Sequence, residues 1–252
     1  MKIAIIGTVG VPASYGGFET LVENLIEDAS ERYTVYCSGP HYAERVTAYK
    51  NANLIYIPLN ANGVQSIIYD IWSIIHALLT GHKNLLVLGT SGAIVLPLVK
   101  LVCPTVNVVT NIDGLEWKRQ KWKGFAKVFL KFSERLAVKF SSIVVADNEA
   151  IAKHVETNYR RTCETIAYGG DHAYIEKILL QTSQIAFGTE RYAFGLCRIE
   201  PENNVHLILD AFSDSKINLI FVGNWKASDY GRQLIEHCST ASNIKLLDPI
   251  YD

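Results

Sequence analysis

The chain has 252 residues and a formal net charge of −1 at pH 7, with 49% hydrophobic and 19% charged residues. This composition excludes a disordered chain and is typical of a folded protein with a sizeable core. The near-zero net charge does not indicate a nucleic-acid partner. The 5 cysteines are scattered without C-x-x-C spacing, which argues against a disulfide framework or a zinc site and favours a reducing cytoplasm.

Short apolar runs alternate with longer amphipathic runs in the first part of the chain, as is typical of a parallel sheet covered by helices on both faces. The predicted strands are residues 3–7, 34–38, 54–59, 85–88, 106–110, 143–146 and 165–168. The predicted helices are residues 17–31, 65–79, 93–102, 124–140 and 149–159. Polar residues interrupt the most apolar stretch, residues 85–109, so we expect no transmembrane segment.

The pattern changes after Asp171, where a further helix at residues 173–184 and a connector to residue 189 are predicted. The alternation then restarts, with predicted strands at 192–196, 219–222 and 244–246 and predicted helices at 205–212 and 230–238. We therefore divide the chain into a first domain, residues 1–186, and a second, residues 187–252. The second has too few strands for a doubly wound domain, so we expect it to be incomplete.

Glycines follow the first predicted strand in the segment 7–20. Tyr15, Gly16 and Gly17 lie just before a predicted helix, where backbone N–H groups and the positive helix end can bind a phosphate. The spacing is neither G-x-G-x-x-G nor the Walker pattern, which argues against an NAD site or an ATPase. The alternative interpretation is that Gly16 and Gly17 only permit a tight turn between strand and helix.

Two acidic residues, Asp113 and Glu116, follow the predicted strand at 106–110. Ligands of open α/β sheets bind at the carboxyl ends of the strands. Carboxylates there could orient sugar hydroxyls or act as a base. The alternative is an Asp-Gly turn followed by a carboxylate at a helix N-terminus.

A regular basic stripe runs along the predicted helix 124–140 and its approach. It repeats every four residues and consists of Lys123, Lys127, Lys131, Arg135 and Lys139. A basic amphipathic helix with aromatic residues suits the surface of an anionic membrane. The alternative is an ordinary surface helix whose aromatic residues enter the core; nucleic acid is not favoured, since no binding motif accompanies the stripe.

Arg198 and Asn203 lie in the loop after the first strand of the second domain. An arginine at the carboxyl end of a strand can hold a diphosphate through two parallel hydrogen bonds. The alternative is a surface arginine paired with Glu200 or Glu202. No D-x-D pair and no metal-ligand spacing of histidines occurs in the sequence, so we expect no metal and no other cofactor.

Five blocks of the sequence together resemble the family 4 retaining glycosyltransferases of the GT-B fold, and more narrowly a bacterial subgroup that includes rhamnosyltransferases of polysaccharide assembly. The blocks are VPASYGGFET (11–20), NIDGLEWKR (111–119) followed by Lys121 and Trp122, AYGGD (167–171), RIEPENN (198–204) and DPIYD (248–252). The resemblance implies an α/β protein with two Rossmann-like, doubly wound parallel-sheet domains facing a cleft, the second incomplete.

The resemblance also implies roles for individual residues. Tyr15, Gly16 and Gly17 would approach the donor phosphates, and Asp113 would lie beside the donor sugar. Arg198 would neutralise the departing diphosphate. Asn203 departs from the pattern, because many relatives carry a lysine there. The glutamate pair that holds the donor in relatives would follow residue 252, so the resemblance implies that this chain alone is inactive.

We therefore expect a retaining glycosyltransferase that moves a sugar, with rhamnose as the first choice, from a nucleoside-diphosphate sugar to a lipid-linked saccharide of a bacterial surface polysaccharide. Asp113 and Glu116 are the expected catalytic pair. The enzyme would be cytoplasmic and peripheral at the inner face of the cell membrane. Two alternatives stay open: a sugar-nucleotide epimerase of the same fold, and a non-catalytic module that binds a membrane surface.

Overall fold

The computed structural model of the chain describes residues 1–13, 16–28, 30–112, 114–118, 122–170 and 190–249. The chain divides into two compact units, Met1–Ala173 and Tyr174–Asp252. The domain boundary that we predict at residue 186 lies outside the described residues, as does the predicted helix at 173–184. In the described residues, no helix combines the length and apolarity that crossing a membrane requires.

The first unit is a sheet with helices on both faces. Its strands are β1 (Lys2–Ile6), β2 (Arg32–Ser38), β3 (Ala48–Tyr49), β4 (Ala52–Ile57), β5 (Asn84–Leu88), β6 (Asn107–Ile112), β7 (Ile143–Ala146) and β8 (Glu164–Thr165). Its helices are α1 (Gly17–Leu25), α2 (Gln65–Leu79), α3 (Leu96–Val102), α4 (Gly124–Phe140) and α5 (Glu149–Tyr159). The strands lie in the order β3-β4-β2-β1-β5-β6-β7-β8, and only β3 is antiparallel to its neighbour.

Strand β1 lies at the centre of this sheet and is apolar on both faces. Ile5 pairs with Val35 of β2 on one side and with Leu86 of β5 on the other. Alternate residues of a strand point to opposite faces, so Ile5 packs in the core beneath α1, whereas Ala4 and Ile6 pack in the core beneath α2, α3 and α4. The strand order reverses at β1, which makes its carboxyl end the expected ligand-binding edge.

The second unit has a smaller parallel sheet. Its described elements are β9 (Tyr192–Leu196), α6 (Val205–Ser213), β10 (Asn218–Val222), α7 (Asp229–His237) and β11 (Ile244–Leu247), with the strands in the order β11-β10-β9. Its core is built around Trp225 and Phe221, whose rings meet edge to face with centroids 5.4 Å apart.

The predicted α/β class with doubly wound parallel sheets is confirmed, and the predicted bounds of α2, α4 and α5 agree with the structure. The predicted end of the first helix at residue 31 is wrong, since α1 ends at Leu25. The side-chain amide of Asn51 donates to the backbone oxygens of Ile26 and Glu27 at 3.1 and 2.9 Å. These bonds satisfy carbonyl groups that a longer helix would have used.

Candidate functional site

The loop between β1 and α1 is held from within by a buried carboxylate. Glu19, only 5% exposed, accepts hydrogen bonds from the Thr8 hydroxyl at 2.8 Å and from the Val9 N–H at 2.7 Å. A second buried group, the Tyr69 hydroxyl, donates to the Thr8 carbonyl at 2.9 Å. Because buried polar groups need partners, these bonds fix the path of the chain as it leaves the central strand.

A second carboxylate, Glu23, holds the far end of the same loop. It accepts from the Ala13 N–H at 2.6 Å and the Tyr49 hydroxyl at 2.5 Å, and pairs with Lys50 at 3.3 Å. Burial alone would raise the pKa of Glu23, but the hydrogen bonds from Tyr49, Ala13 and Lys50 favour the charged form and together lower that pKa. Both ends of the loop are therefore anchored on α1.

The two glycines of the loop have different constraints. Gly16 has φ +89°, and a Cβ there would lie 2.6 Å from Oε2 of Glu19, so only glycine fits without strain. Gly17 is the first residue of α1, and a Cβ there would meet nothing within 4 Å. The first N–H groups of an α-helix have no partner within the helix, so this helix end offers donors to which an anionic group could bind; Tyr15 lies outside the described residues.

The acidic segment after β6 is only partly described. Asp113 lies outside the described residues. Glu116 is described, and its Oε1 accepts from the indole N–H of Trp122 at 2.8 Å. Asn111, which is 5% exposed, donates to the Tyr168 hydroxyl at 3.3 Å. That bond brings the second and third sequence blocks of the resemblance together at the carboxyl end of the sheet.

The sequence reasoning missed Glu134, which anchors this segment to the helices below it. Its side chain is 2% exposed, and it accepts from the Trp117 indole at 2.9 Å, from the Tyr159 hydroxyl at 2.6 Å and from Nε2 of His154 at 3.0 Å. Burial and the hydrogen bond to Glu134 both raise the pKa of Tyr159. One feature of the sequence could have indicated Glu134: it is the sole acidic residue in the basic helix α4.

The basic stripe lies partly over Trp117. The ammonium groups of Lys127 and Lys131 lie 6.0 and 5.1 Å from the Trp117 ring centroid, within the range of cation–π attraction. A groove of about 920 Å³ lies between α4 and α5, and the described residues that line it include Lys131, Arg135, Lys139 and Arg160 but no acidic side chain. Lys123 is exposed just before α4. The stripe is therefore an open surface of positive potential.

The alternative interpretation of the basic stripe required the aromatic residues of α4 to enter the core, but not all of them do. Phe125 is 84% exposed and Phe132 is 51% exposed. Phe129 is half-buried. The buried side of the helix is made instead by Leu130 and Ala137 together with Ser133, Glu134 and Val138. The outer side of α4 is thus both basic and apolar.

In the second unit, the loop after β9 carries Arg198 with its side chain exposed. The Asn203 amide donates to the Arg198 carbonyl at 2.7 Å. This bond gives Asn203 a structural part in shaping the loop, independent of any ligand. The described residues contain no group of three His, Cys, Asp or Glu side chains that could hold a metal ion.

Comparisons with known proteins identify a family and a fold. A family model described as "Domain of unknown function (DUF1972)" matches residues 1–171. No curated protein matches the chain. Among solved structures, the α,α-trehalose 6-phosphate synthase from Burkholderia multivorans is similar with a TM-score of 0.62 and 10% identity, over 100% of this chain and 72% of that one.

Two further structures extend the comparison. The lipopolysaccharide outer core galactosyltransferase WaaB is similar with a TM-score of 0.52 and 12% identity, over 98% of this chain and 68% of that one. The UDP-GlcNAc 2-epimerase of Methanocaldococcus jannaschii, in complex with UDP-GlcNAc and UDP, is similar with a TM-score of 0.55 and 14% identity. The similarity covers 99% of this chain and 74% of that one. At these identities the similarity shows the fold, and the predicted GT-B fold is confirmed.

Proposed function

The chain belongs to the DUF1972 family, and we propose that it is part of a glycosyltransferase that uses a nucleoside-diphosphate sugar. The main observation that supports this proposal is the structure of the loop after β1. Two carboxylates of α1 fix the loop, and it ends at the N-terminus of that helix. Support comes from the GT-B fold, whose solved examples include a galactosyltransferase and a protein bound to UDP and UDP-GlcNAc.

In the proposed reaction, the bond between the sugar and the diphosphate breaks while the acceptor hydroxyl attacks the same carbon. The backbone N–H groups at Gly16 and Gly17 bind the donor phosphates, and Tyr15 is proposed to take part in the same binding. Arg198 neutralises the charge that develops on the leaving diphosphate, and Asn203 positions the Arg198 loop. Asp113 and Glu116 orient the sugar or the acceptor. The acceptor hydroxyl approaches from the side that the diphosphate leaves and gives its proton to that diphosphate, so the configuration is retained, and no metal takes part.

We further propose that the acceptor is a lipid-linked saccharide of bacterial surface polysaccharide synthesis, with rhamnose as the transferred sugar. The basic and apolar outer side of α4 supports a position at the cytoplasmic face of the membrane. Each Lys or Arg near an anionic surface contributes about 1 kcal/mol. The stripe from Lys123 to Lys139 would therefore hold the protein where such acceptors occur.

A second candidate is a sugar-nucleotide epimerase, which the similarity to the archaeal UDP-GlcNAc 2-epimerase favours. An epimerase would interconvert a UDP-sugar without any acceptor, whereas a glycosyltransferase would release nucleoside diphosphate only when an acceptor is present. Incubation with UDP-GlcNAc alone, followed by proton NMR of the anomeric signals, distinguishes them. A new anomeric signal without acceptor would support the epimerase.

The proposal is tested by calorimetric titration of the chain with UDP, dTDP and their sugars. We expect binding that requires the diphosphate and that Arg198→Ala weakens roughly 10-fold or more, since a hydrogen bond to a charged group contributes about 1.5–3 kcal/mol. Arg191→Ala is the matched control, because Arg191 is exposed just before the opposite end of β9. Absence of nucleotide binding, or equal losses in both variants, would overturn the proposal.

A further inference from the structure

Helices α2, α3 and α4 cover the same face of the sheet of the first unit. Tyr69 of α2, Leu96 of α3 and Ala137 of α4 belong to one buried core cluster. Helix α4 packs against α3, and the 3₁₀ turn Ala93–Val95 that precedes α3 contacts both α2 and α4. The three helices therefore pack on one face of the sheet, with the turn Ala93–Val95 linking α2 to α3 and α4.

The outer side of these three helices carries apolar side chains. The exposed apolar side chains, called here the three-helix face, are Ile68, Trp72, Ile75 and Leu79 of α2, Leu98, Leu101 and Val102 of α3, and Phe125, Val128 and Phe132 of α4. The exposed fractions reach 81% for Leu79, 79% for Leu101 and 84% for Phe125. Ten exposed apolar side chains on the helices of one face of the sheet indicate a site of contact with a protein or a membrane.

The charges around the three-helix face decide between those partners. The only acidic residues of α2, α3 and α4 are Asp70 and Glu134. Both are 2% exposed and accept hydrogen bonds in the interior. The exposed charges of the three helices are therefore all positive, and Lys127, Lys131 and Arg135 lie beside the apolar side chains of α4. A surface that combines apolar residues with positive charge alone matches the interface of an anionic bilayer.

We propose that the three-helix face docks on an anionic lipid bilayer and inserts its apolar side chains below the headgroups. The proposal rests on the membrane association proposed above. It adds insertion of apolar side chains to the electrostatic attraction of the basic stripe. The basic stripe alone would give electrostatic binding that salt abolishes. Burial of the apolar side chains adds a contribution that salt does not screen, and it places α2 and α3 at the membrane together with α4.

Flotation with phosphatidylcholine vesicles, with and without phosphatidylglycerol, tests the proposal. The triple variant Leu79→Ser, Leu101→Ser, Phe125→Ser removes one exposed side chain from each helix. We expect roughly 10-fold weaker partitioning for each side chain removed. Val46→Ser, Leu207→Ser, Ile217→Ser is the matched control, because these exposed apolar residues lie outside the three helices. The control should partition like the unchanged chain.

Salt and fluorescence give two independent readouts. At roughly 0.5 M salt, where the Debye length falls below about 5 Å, the unchanged chain should retain measurable binding that the triple serine variant lacks. Trp72 is 48% exposed within the face. The tryptophan emission of the chain should therefore shift to shorter wavelength on binding to vesicles, and the shift should be smaller in Trp72→Phe.

Three results would overturn the proposal: complete loss of binding at high salt, equal partitioning of the triple variant and the unchanged chain, or a dimer in solution that the triple variant dissociates without any vesicle binding. The last result would make the face a protein interface. Nucleotide titration of the same variants separates this proposal from the enzymatic one, since vesicle binding does not require a donor site.

Discussion

The loop after β1 and the three-helix face lie in the same unit and are built on opposite principles. In the loop, polar groups turn inward: Thr8 and Val9 donate to Glu19, and Ala13 donates to Glu23. On the face, apolar side chains such as Leu79 and Phe125 turn outward. Each arrangement costs free energy in isolation, because buried charge and exposed apolar surface are both unfavourable.

The difference shows what each region is prepared to bind. A loop fixed by internal hydrogen bonds presents its remaining backbone N–H groups in one geometry, which suits a small anionic ligand. An apolar surface without specific polar groups suits an extended partner with no defined geometry, such as a bilayer. Both regions fall within residues 1–171, which the family model matches.

The largest loss of stability is expected for a substitution in α4. The outer side of this helix belongs to the three-helix face, and its inner side carries Glu134. Glu134→Ala would leave the donors of Trp117 and Tyr159 and the ring of His154 without their acceptor. We expect a loss of about 3–5 kcal/mol in the free energy of unfolding, measured by urea denaturation. The exposed control Glu156→Ala should lose less than about 0.5 kcal/mol. Similar losses in both variants would show that the buried acceptor has no special role.

A slightly smaller effect is expected in the loop. Glu19→Ala would leave the Thr8 hydroxyl and the Val9 N–H without their acceptor, and we expect a loss of about 2–3 kcal/mol in the free energy of unfolding. The loop should also become mobile, so nucleotide binding should weaken in parallel. Glu44→Ala, an exposed acid of the same unit, is the control. Unchanged stability of Glu19→Ala would contradict the internal anchoring of the loop.

A pH-dependent effect sharpens the description of the loop. The pKa of Glu23 is lower in the folded chain than its ordinary value of 4.5. Its contribution to stability is therefore complete above the unfolded-state pKa and is lost as the pH falls through the folded-state pKa. Glu23→Gln should cost about 1 kcal/mol at pH 7, and the difference from the unchanged chain should vanish in acid. Urea unfolding of both chains from pH 7 into acid measures this difference in the free energy of unfolding. A difference that does not change with pH would contradict the lowered pKa of Glu23.

The smallest effect is expected on the three-helix face. Phe125→Ser and Leu79→Ser should each change the free energy of unfolding by less than about 0.5 kcal/mol, because exposed side chains lose little solvent contact on folding. Thermal and urea unfolding of both variants check this. A loss above about 1 kcal/mol would show that these side chains pack in the folded chain, and the contrast between the two regions would fail.

The sequence predicted helix α4 to the residue, because its apolar and basic residues repeat with helical spacing. It could not decide which side faces outward, since the lysines and the phenylalanines overlap around the helix. The burial of Glu19 and Glu134 was equally hidden. Charged residues are rarely buried without partners. Val9, a partner of Glu19, and Tyr159, a partner of Glu134, come next to these carboxylates only in the folded chain.

For the candidate site, the glycine pair predicted where the chain leaves the central strand and enters α1, and the structure agrees. The structural part of Asn203 emerged only from its bond to the Arg198 carbonyl, since an amide can serve either a backbone group or a ligand. The end of α1 depended on Asn51, a residue distant in sequence. A local glycine pattern thus set the start of α1, whereas a contact between residues distant in sequence set its end.

The central claim is that the loop after β1 receives a phosphate-bearing donor while the three-helix face does not. Amide hydrogen exchange of the chain with and without UDP or dTDP measures this directly. We predict slower exchange in peptides that contain Gly16 and Gly17 and in those that contain Arg198, with unchanged exchange in α2 and α3. Protection confined to α2, α3 or α4, or no protection anywhere at saturating nucleotide, would contradict the claim.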